Sequence, residues 1–225
     1  MKEIMLSILL CTTISNASFC QLNKETLIKE AEEKLKTNKA TISQILTDKK
    51  YDAVHPETSF RELIKKYCKA EVISITTDTI PGRKIKVIGT IKNAEGKPVA
   101  GALVYLYHTD ARGWYAADAP HVSMNEGDMR HARLFGYVQT DKDGKFELHT
   151  IKPSGYPQSD LPAHIHVHID AKDYRSFVTE FLFDDERLIG RIRENSVRNN
   201  FMISKPEKTE LPFTQKFSYA ITLQK

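Results

Sequence analysis

From Glu71 onward the apolar residues recur in short runs, many at every second position, and turn signals separate the runs. Ile85, Val87 and Gly89 alternate with Lys84, Lys86 and Ile88. Side chains of an extended chain point to opposite faces in turn, so this pattern is that of a strand with one buried face. Further runs span Ala102 to His108, Leu134 to Gln139, Lys145 to Thr150, Ala163 to Asp170, Ser176 to Phe183 and Lys216 to Gln224. Between them stand the turns Asn93 to Pro98 and Thr140 to Gly144, each carrying a Gly. Many short strands divided by turn residues point to a β-sandwich, expected over residues 71–225. The stretches Ala116 to Arg133 and Asp184 to Thr214 break the pattern; the second has room for a short helix near Asp185 to Arg193. Long loops in compact domains are often functional, and the first of these follows Tyr115 directly.

Upstream of Glu71 the period is helical. Asn23 to Asn38 places Leu27, Ile28, Ala31 and Leu35 on one stripe, and Thr41 to Leu46 reads as a second short helix. Ser59 to Lys69 places Phe60, Leu63, Ile64 and Tyr67 on one face, with Ser59 and Glu62 spaced as a capping box. Residues 21–70 therefore form a short helical region without visible chemistry, expected to pack on the sandwich or on a partner subunit as a homodimer contact. Residues 1–20 differ again: Lys2, the apolar run Ile4 to Ile14, then Ala17 and Ser18 have the layout of a secretory signal peptide. The run is too short for a membrane span. Cleavage after Ala17, Ser18 or Cys20 is expected, which would make the protein secreted or periplasmic. Of the three cysteines, Cys11 leaves with the leader, so at most Cys20 and Cys68 could pair. A net charge of +4 spread along the chain, without a basic cluster or recognition motif, argues against nucleic acid as partner.

The stretch that carries chemistry is Pro153 to His168, P-S-G-Y-P-Q-S-D-L-P-A-H-I-H-V-H. On a strand His164 and His166 point the same way, and neutral His is the commonest metal ligand. Tyr156 stands a short loop upstream, held by Pro153, Gly155 and Pro157. A free tyrosine ionises near pH ~10, so only a strong Lewis acid would hold it as phenolate at neutral pH. His168 continues the alternation, so a His-x-His-x-His zinc site is equally open on spacing alone. His108, His121, His131 and His149 lack ligand spacing and read as ordinary surface or loop residues.

Three stretches taken together narrow the choice: Thr109 to Tyr115 (T-D-A-R-G-W-Y), Phe135 to Pro157, and Pro162 to His166 (P-A-H-I-H). In combination they resemble the intradiol ring-cleavage dioxygenases, the non-haem Fe(III) enzymes that include catechol 1,2-dioxygenase and protocatechuate 3,4-dioxygenase. The resemblance runs from about Arg83 to Phe183 and implies that family's β-sandwich. It implies Tyr115, Tyr156, His164 and His166 as ligands of a ferric ion, with Tyr156 also catalytic because the family's second Tyr leaves the iron and takes up a substrate proton. The implied reaction cleaves a catechol-like ring between its two hydroxylated carbons with O2. Two positions depart from the family's pattern: Leu161 stands where an Arg is common, and Glu180 where a Gln is common. Both are expected in the substrate pocket. Arg112, Arg130, Arg133 and Arg175 are candidates to supply a compensating charge. The leading expectation is this dioxygenase; the two departures add weight to the runner-up, a non-enzymatic or weakly active extracytoplasmic sandwich that binds iron, a catecholic compound or a protein.

Overall fold

The computed structural model describes residues 23–116, 132–157, 159–187, 189–194 and 200–225. The leader-like stretch and most of the 116–133 loop thus lie outside the described residues. Among the described residues, nine strands form two sheets: β1 (Val72–Ser74), β2 (Lys84–Asn93), β3 (Leu103–His108), β4 (Leu134–Gln139), β5 (Lys145–Ile151), β6 (His164–Asp170), β7 (Phe177–Phe183), β8 (Met202–Ser204) and β9 (Gln215–Leu223). One sheet has the order β1-β5-β2-β9 and the other β4-β3-β6-β7-β8. They face each other through the alternating apolar residues: Val104, Leu106, Ile165, Val167, Phe181 and Phe183 from one, Ile85, Val87, Leu148 and Phe217 from the other, all buried. Phe181 stacks on Tyr219 at 3.9 Å between ring centroids, and Phe183 meets Phe217 edge-on at 4.7 Å. The sandwich read from the alternation is the observed fold.

Because strand faces alternate, the same six-residue β3 that sends Val104 and Leu106 inward sends Tyr105 and Tyr107 outward. Register carries this across the sheet: Tyr107 pairs with His166, Tyr105 with His168, and His166 with Glu180. The outer face of the β4-β3-β6-β7 sheet is therefore aromatic and ionisable where the inner face is mainly apolar.

Helices α1 (residues 23–36), α2 (Ile42–Thr47) and α3 (Thr58–Tyr67) precede the sandwich. Thr41 and Gln44 form the capping box that starts α2. The box expected from Ser59 and Glu62 does not form: α3 begins one residue earlier, behind the His55–Pro56 turn, which leaves Ser59 inside the helix. Glu57 occupies the cap position without a side-chain capping bond, its carboxylate accepting instead from Lys24 at 2.7 Å. The arm packs on this chain's own outer sheet face. Arg61, 5% exposed, donates to the carbonyls of His55 and Ala132 and to the Tyr105 hydroxyl, and its guanidinium lies over the Phe135 ring at 3.8 Å. Cys68 is a buried free thiol in the same core, its pKa pushed up by burial to about 12.

Two further expectations are corrected. His108 is fully buried, because it continues the inward set of Val104 and Leu106 on β3. Its Nδ1–H donates to the Thr109 carbonyl and its Nε2 accepts from the Thr150 hydroxyl. The 184–214 stretch is not all irregular: besides a short α4 (Ile189–Arg193) it adds β8, three residues pairing in parallel with the end of β7. So short a strand leaves no periodicity to detect.

Candidate metal centre

The centre is built where two loops meet the outer end of β6. After β3 the chain turns at Asp110, whose buried carboxylate accepts from the backbone N–H groups of Arg112 (2.8 Å) and Trp114 (3.1 Å) and from the Arg112 guanidinium (2.6 Å). Gly113 closes the turn at φ +81°, a conformation disfavoured for residues with a Cβ. A Cβ there would stand 2.2 Å from the Gly155 carbonyl oxygen, so glycine also permits the second loop to approach. That loop is stitched to the first by Thr109 Oγ1 donating to the Ser154 carbonyl (2.6 Å) and Ser154 Oγ donating to the Ala111 carbonyl (2.8 Å). Arg133 N–H donates to the Tyr115 carbonyl (2.9 Å), tying Tyr115 to the start of β4.

These constraints bring all four expected ligands together. Tyr115 Oη lies 2.7 Å from Tyr156 Oη and 2.8 Å from His166 Nε2. Tyr156 Oη is 3.1 Å from both His164 Nε2 and His166 Nε2, and the two Nε2 atoms are 3.1 Å apart. Tyr115 and His164 are buried, whereas Tyr156 and His166 are half-buried.

Hydrogen bonding cannot account for this cluster. His164 Nδ1 is 2.8 Å from the Pro162 carbonyl, which can only accept, so that nitrogen holds the ring proton of the neutral tautomer. His166 Nδ1 faces the Glu180 carboxylate at 3.4 Å, an acceptor toward which a proton on that nitrogen is drawn. Both Nε2 atoms are then bare lone pairs pointing at each other. The four atoms make the five close contacts just given, with two hydroxyl protons to share among them. At most two of those contacts can be hydrogen bonds; the rest set acceptor against acceptor. A cation among the four relieves every one. The spacings also suit it, since donors at about 2 Å from a common ion and about 90° apart stand roughly 2.8 Å from each other. Two phenol oxygens with two imidazoles form a hard set that favours Fe(III) over softer or lower-valent ions. The residues present therefore fit a ferric ion. Burial, with Tyr156 alongside, raises the Tyr115 pKa above the ordinary tyrosine range, so the phenol ionises at neutral pH only against such a charge.

Among the described residues, the His, Cys, Asp and Glu side chains close enough to share an ion are His164, His166 and Glu180, with ligand atoms within 4.8 Å of one another. His168 is not of this group; it lies edge-on to Tyr105 at 5.9 Å, as a flank of the site. Tyr107 is a neighbour that sequence reasoning passed over: it stacks on His166 at 4.5 Å with planes 12° apart, in the cross-strand position the register gives it. Leu161 sits on the loop before β6, 44% exposed. Of the arginines considered, Arg112 is engaged by Asp110 and stacks on Trp114, and Arg133 approaches Asp110 at 3.9 Å. Arg175 lies at the far end of β6 from His164, and Arg130 is outside the described residues.

Comparison with known proteins agrees with this architecture. A family model described as Dioxygenase (Dioxygenase_C) matches residues 60–225. Catechol 1,2-dioxygenase 1 of Acinetobacter lwoffii is 31% identical over 133 residues, which is 52% of this chain and 41% of that protein. Chlorocatechol 1,2-dioxygenase of Rhodococcus opacus is 25% identical over 140 residues, 55% of this chain and 52% of the relative. The matched stretch thus spans about half the length of these curated relatives or less. Among solved structures, an intradiol ring-cleavage dioxygenase from Tetranychus urticae superposes with TM-score 0.52 at 20% identity, covering 67% of this chain and 85% of the other. Catechol 1,2-dioxygenase from Acinetobacter sp. ADP1 gives TM-score 0.52 at 18% identity, covering 69% and 57%. By the extent of the family match, with the sandwich and its ordered Tyr and His residues, this chain belongs to the intradiol ring-cleavage dioxygenase family.

Proposed function

We propose that the protein is an exported non-haem Fe(III) dioxygenase that opens a catechol-like ring between its two hydroxylated carbons with O2. The observation that carries the proposal is the meeting of two phenol oxygens and two bare imidazole nitrogens with too few protons to bond them. Tyr115, Tyr156, His164 and His166 would hold the ion. When bound, ferric iron supplies the Lewis acidity that stabilises phenolates at neutral pH and draws a catechol in as its dianion. The two tyrosines are not equivalent. Tyr115 is 4% exposed and pinned through its backbone to Arg133, which suits a permanent ligand. Tyr156 is half-buried on a loop, so its Oη can move aside and accept a proton from a substrate hydroxyl. The catechol, chlorocatechol and hydroxyquinol named for its relatives fit that class of substrate.

A second reading, of a sandwich that binds iron or a catechol without turning it over, is favoured by Leu161. An exposed aliphatic side chain cannot stabilise negative charge on a ring under attack, whereas a preorganised cationic donor can contribute about 10²–10³-fold in rate. Iron analysis, visible absorption and oxygen uptake on a panel of catechols test both. Bound iron with tyrosinate colour and a ring-opened diacid supports the enzyme. Colour without oxygen uptake on any catechol supports the second reading, and protein that takes up no ferric iron refutes the enzyme and the iron-binding form of the second reading.

A further inference from the structure

We infer that Glu180 is a positioning residue that acts on the metal through His166, an inference that rests on the ferric reading of the centre. Glu180 and His166 are direct partners across the antiparallel β6–β7 ladder, so their side chains emerge side by side on one face. The Glu180 Oε1 atom stands 3.4 Å from His166 Nδ1. The other nitrogen of that ring, Nε2, is the one that meets Tyr115, Tyr156 and His164. The two ring nitrogens aim in diverging directions, so the carboxylate lies behind the imidazole that would bind the ion.

Three contacts then fix His166. Tyr107 stacks on its plane, the cluster takes Nε2, and Glu180 takes Nδ1. His164 is treated differently, because its Nδ1–H meets the uncharged carbonyl of Pro162. One imidazole of the pair is thus backed by a dipole and the other by a full negative charge. A carboxylate behind a ligand His holds the tautomer and raises the electron density on the metal-bound nitrogen. Counted with two phenolates, the carboxylate brings the negative charge around the ion to three, equal to that of a ferric ion. Glu180 in this role tightens ferric binding and makes the bound ion less electron-accepting.

The test compares wild type, Glu180→Gln and Glu180→Ala, all loaded with ferric iron. Affinity is read by competition with a chelator, and the energy of the tyrosinate-to-iron charge-transfer band by visible spectroscopy. Glu180→Ala should lose about 10–100-fold in ferric affinity. Its band should move to longer wavelength, since a less electron-rich iron accepts charge from phenolate more easily. Glu180→Gln keeps an acceptor oxygen without the charge and should fall between the two in both readouts. If Glu180→Ala does not fold, judged by circular dichroism, the Gln variant decides alone. Affinity and band unchanged in the variants of a coloured wild type overturn the role of Glu180 and leave the ferric reading standing. A wild type without a tyrosinate band overturns the ferric reading, and this inference with it.

Discussion

Ferric affinity should rise steeply with pH, and the proton inventory of the centre sets how steeply. His164 Nδ1 meets the Pro162 carbonyl and His166 Nδ1 faces the Glu180 carboxylate, so each neutral ring can bind through Nε2 while keeping its proton at Nδ1, with none released. The protons in the way are the hydroxyl protons of Tyr115 and Tyr156, whose oxygens stand 2.7 Å apart. Burial raises the Tyr115 pKa, so that proton stays on through the mildly alkaline range until a metal displaces it. Every proton expelled on binding strengthens the apparent affinity about tenfold per pH unit, or roughly 1.4 kcal/mol. Two tyrosines therefore give about 100-fold per unit, on top of any proton lost by a solvent-derived ligand. The assay is competition against a chelator of known pH dependence between about pH 7 and pH 8.5. Tyr156→Phe removes one proton and should lower the slope by one, a difference in which chelator and solvent terms cancel. Equal slopes for wild type and Tyr156→Phe would refute the claim that the Tyr156 phenol ionises on binding.

Other outcomes follow from the packing. Gly113→Ala places a Cβ 2.2 Å from the Gly155 carbonyl oxygen at a positive φ, so it should destabilise the fold by more than ~1 kcal/mol and weaken the iron colour, read by urea denaturation and absorbance. His55 and His108 are buried, and their pKa values are lowered by desolvation from 6.5 to about 4. The unfolded chain then binds more protons in this window, so stability present above pH 6.5 is lost as pH falls toward 4. At pH 5 the loss should be about 2 kcal/mol for each, visible as a lower urea midpoint and reduced by replacing His108. Arg61→Met strips the carbonyls of His55 and Ala132 and the Tyr105 hydroxyl of a buried donor, and should cost about 3 kcal/mol in the same assay. If the leader reading is right, N-terminal sequencing of exported protein should find a start between Ser18 and Gln21; an intact Met1 on soluble protein would overturn it.

What the sequence made legible was local. The two-residue period placed His164 and His166 on one face of β6, and Pro153, Gly155 and Pro157 marked Tyr156 as a fixed turn residue. Tyr115 came from its motif, because nothing in its own neighbourhood announces that 41 residues later another phenol will lie 2.7 Å away. The contacts that were missed depend on register between strands distant in sequence. Tyr107 meets His166, and Glu180 faces its Nδ1, because three strands align, and each strand's own pattern is silent on its neighbour. His108 was within reach: its parity on β3 matches Val104 and Leu106, but the lack of ligand spacing says nothing of burial, which its position on the strand decides. Arg61 was hidden for a similar reason, since a charged residue in an amphipathic helix is ordinarily solvated and here its acceptors come from three separate segments.

The order of strands in the smaller sheet also constrains how the chain can fold. β2 is flanked by β5 on one side and by β9, the last strand, on the other, where Ile85 pairs with Gln215 and Asn93 with Leu223. The partner that completes β2 is thus some 130 residues downstream, and pairing over such a separation forms late and at high entropic cost. Until β9 docks, β2 presents an unpaired edge, so closing this sheet waits on a far longer stretch of chain than the β6–β7 pairing does, and an open edge is a template for pairing with another chain.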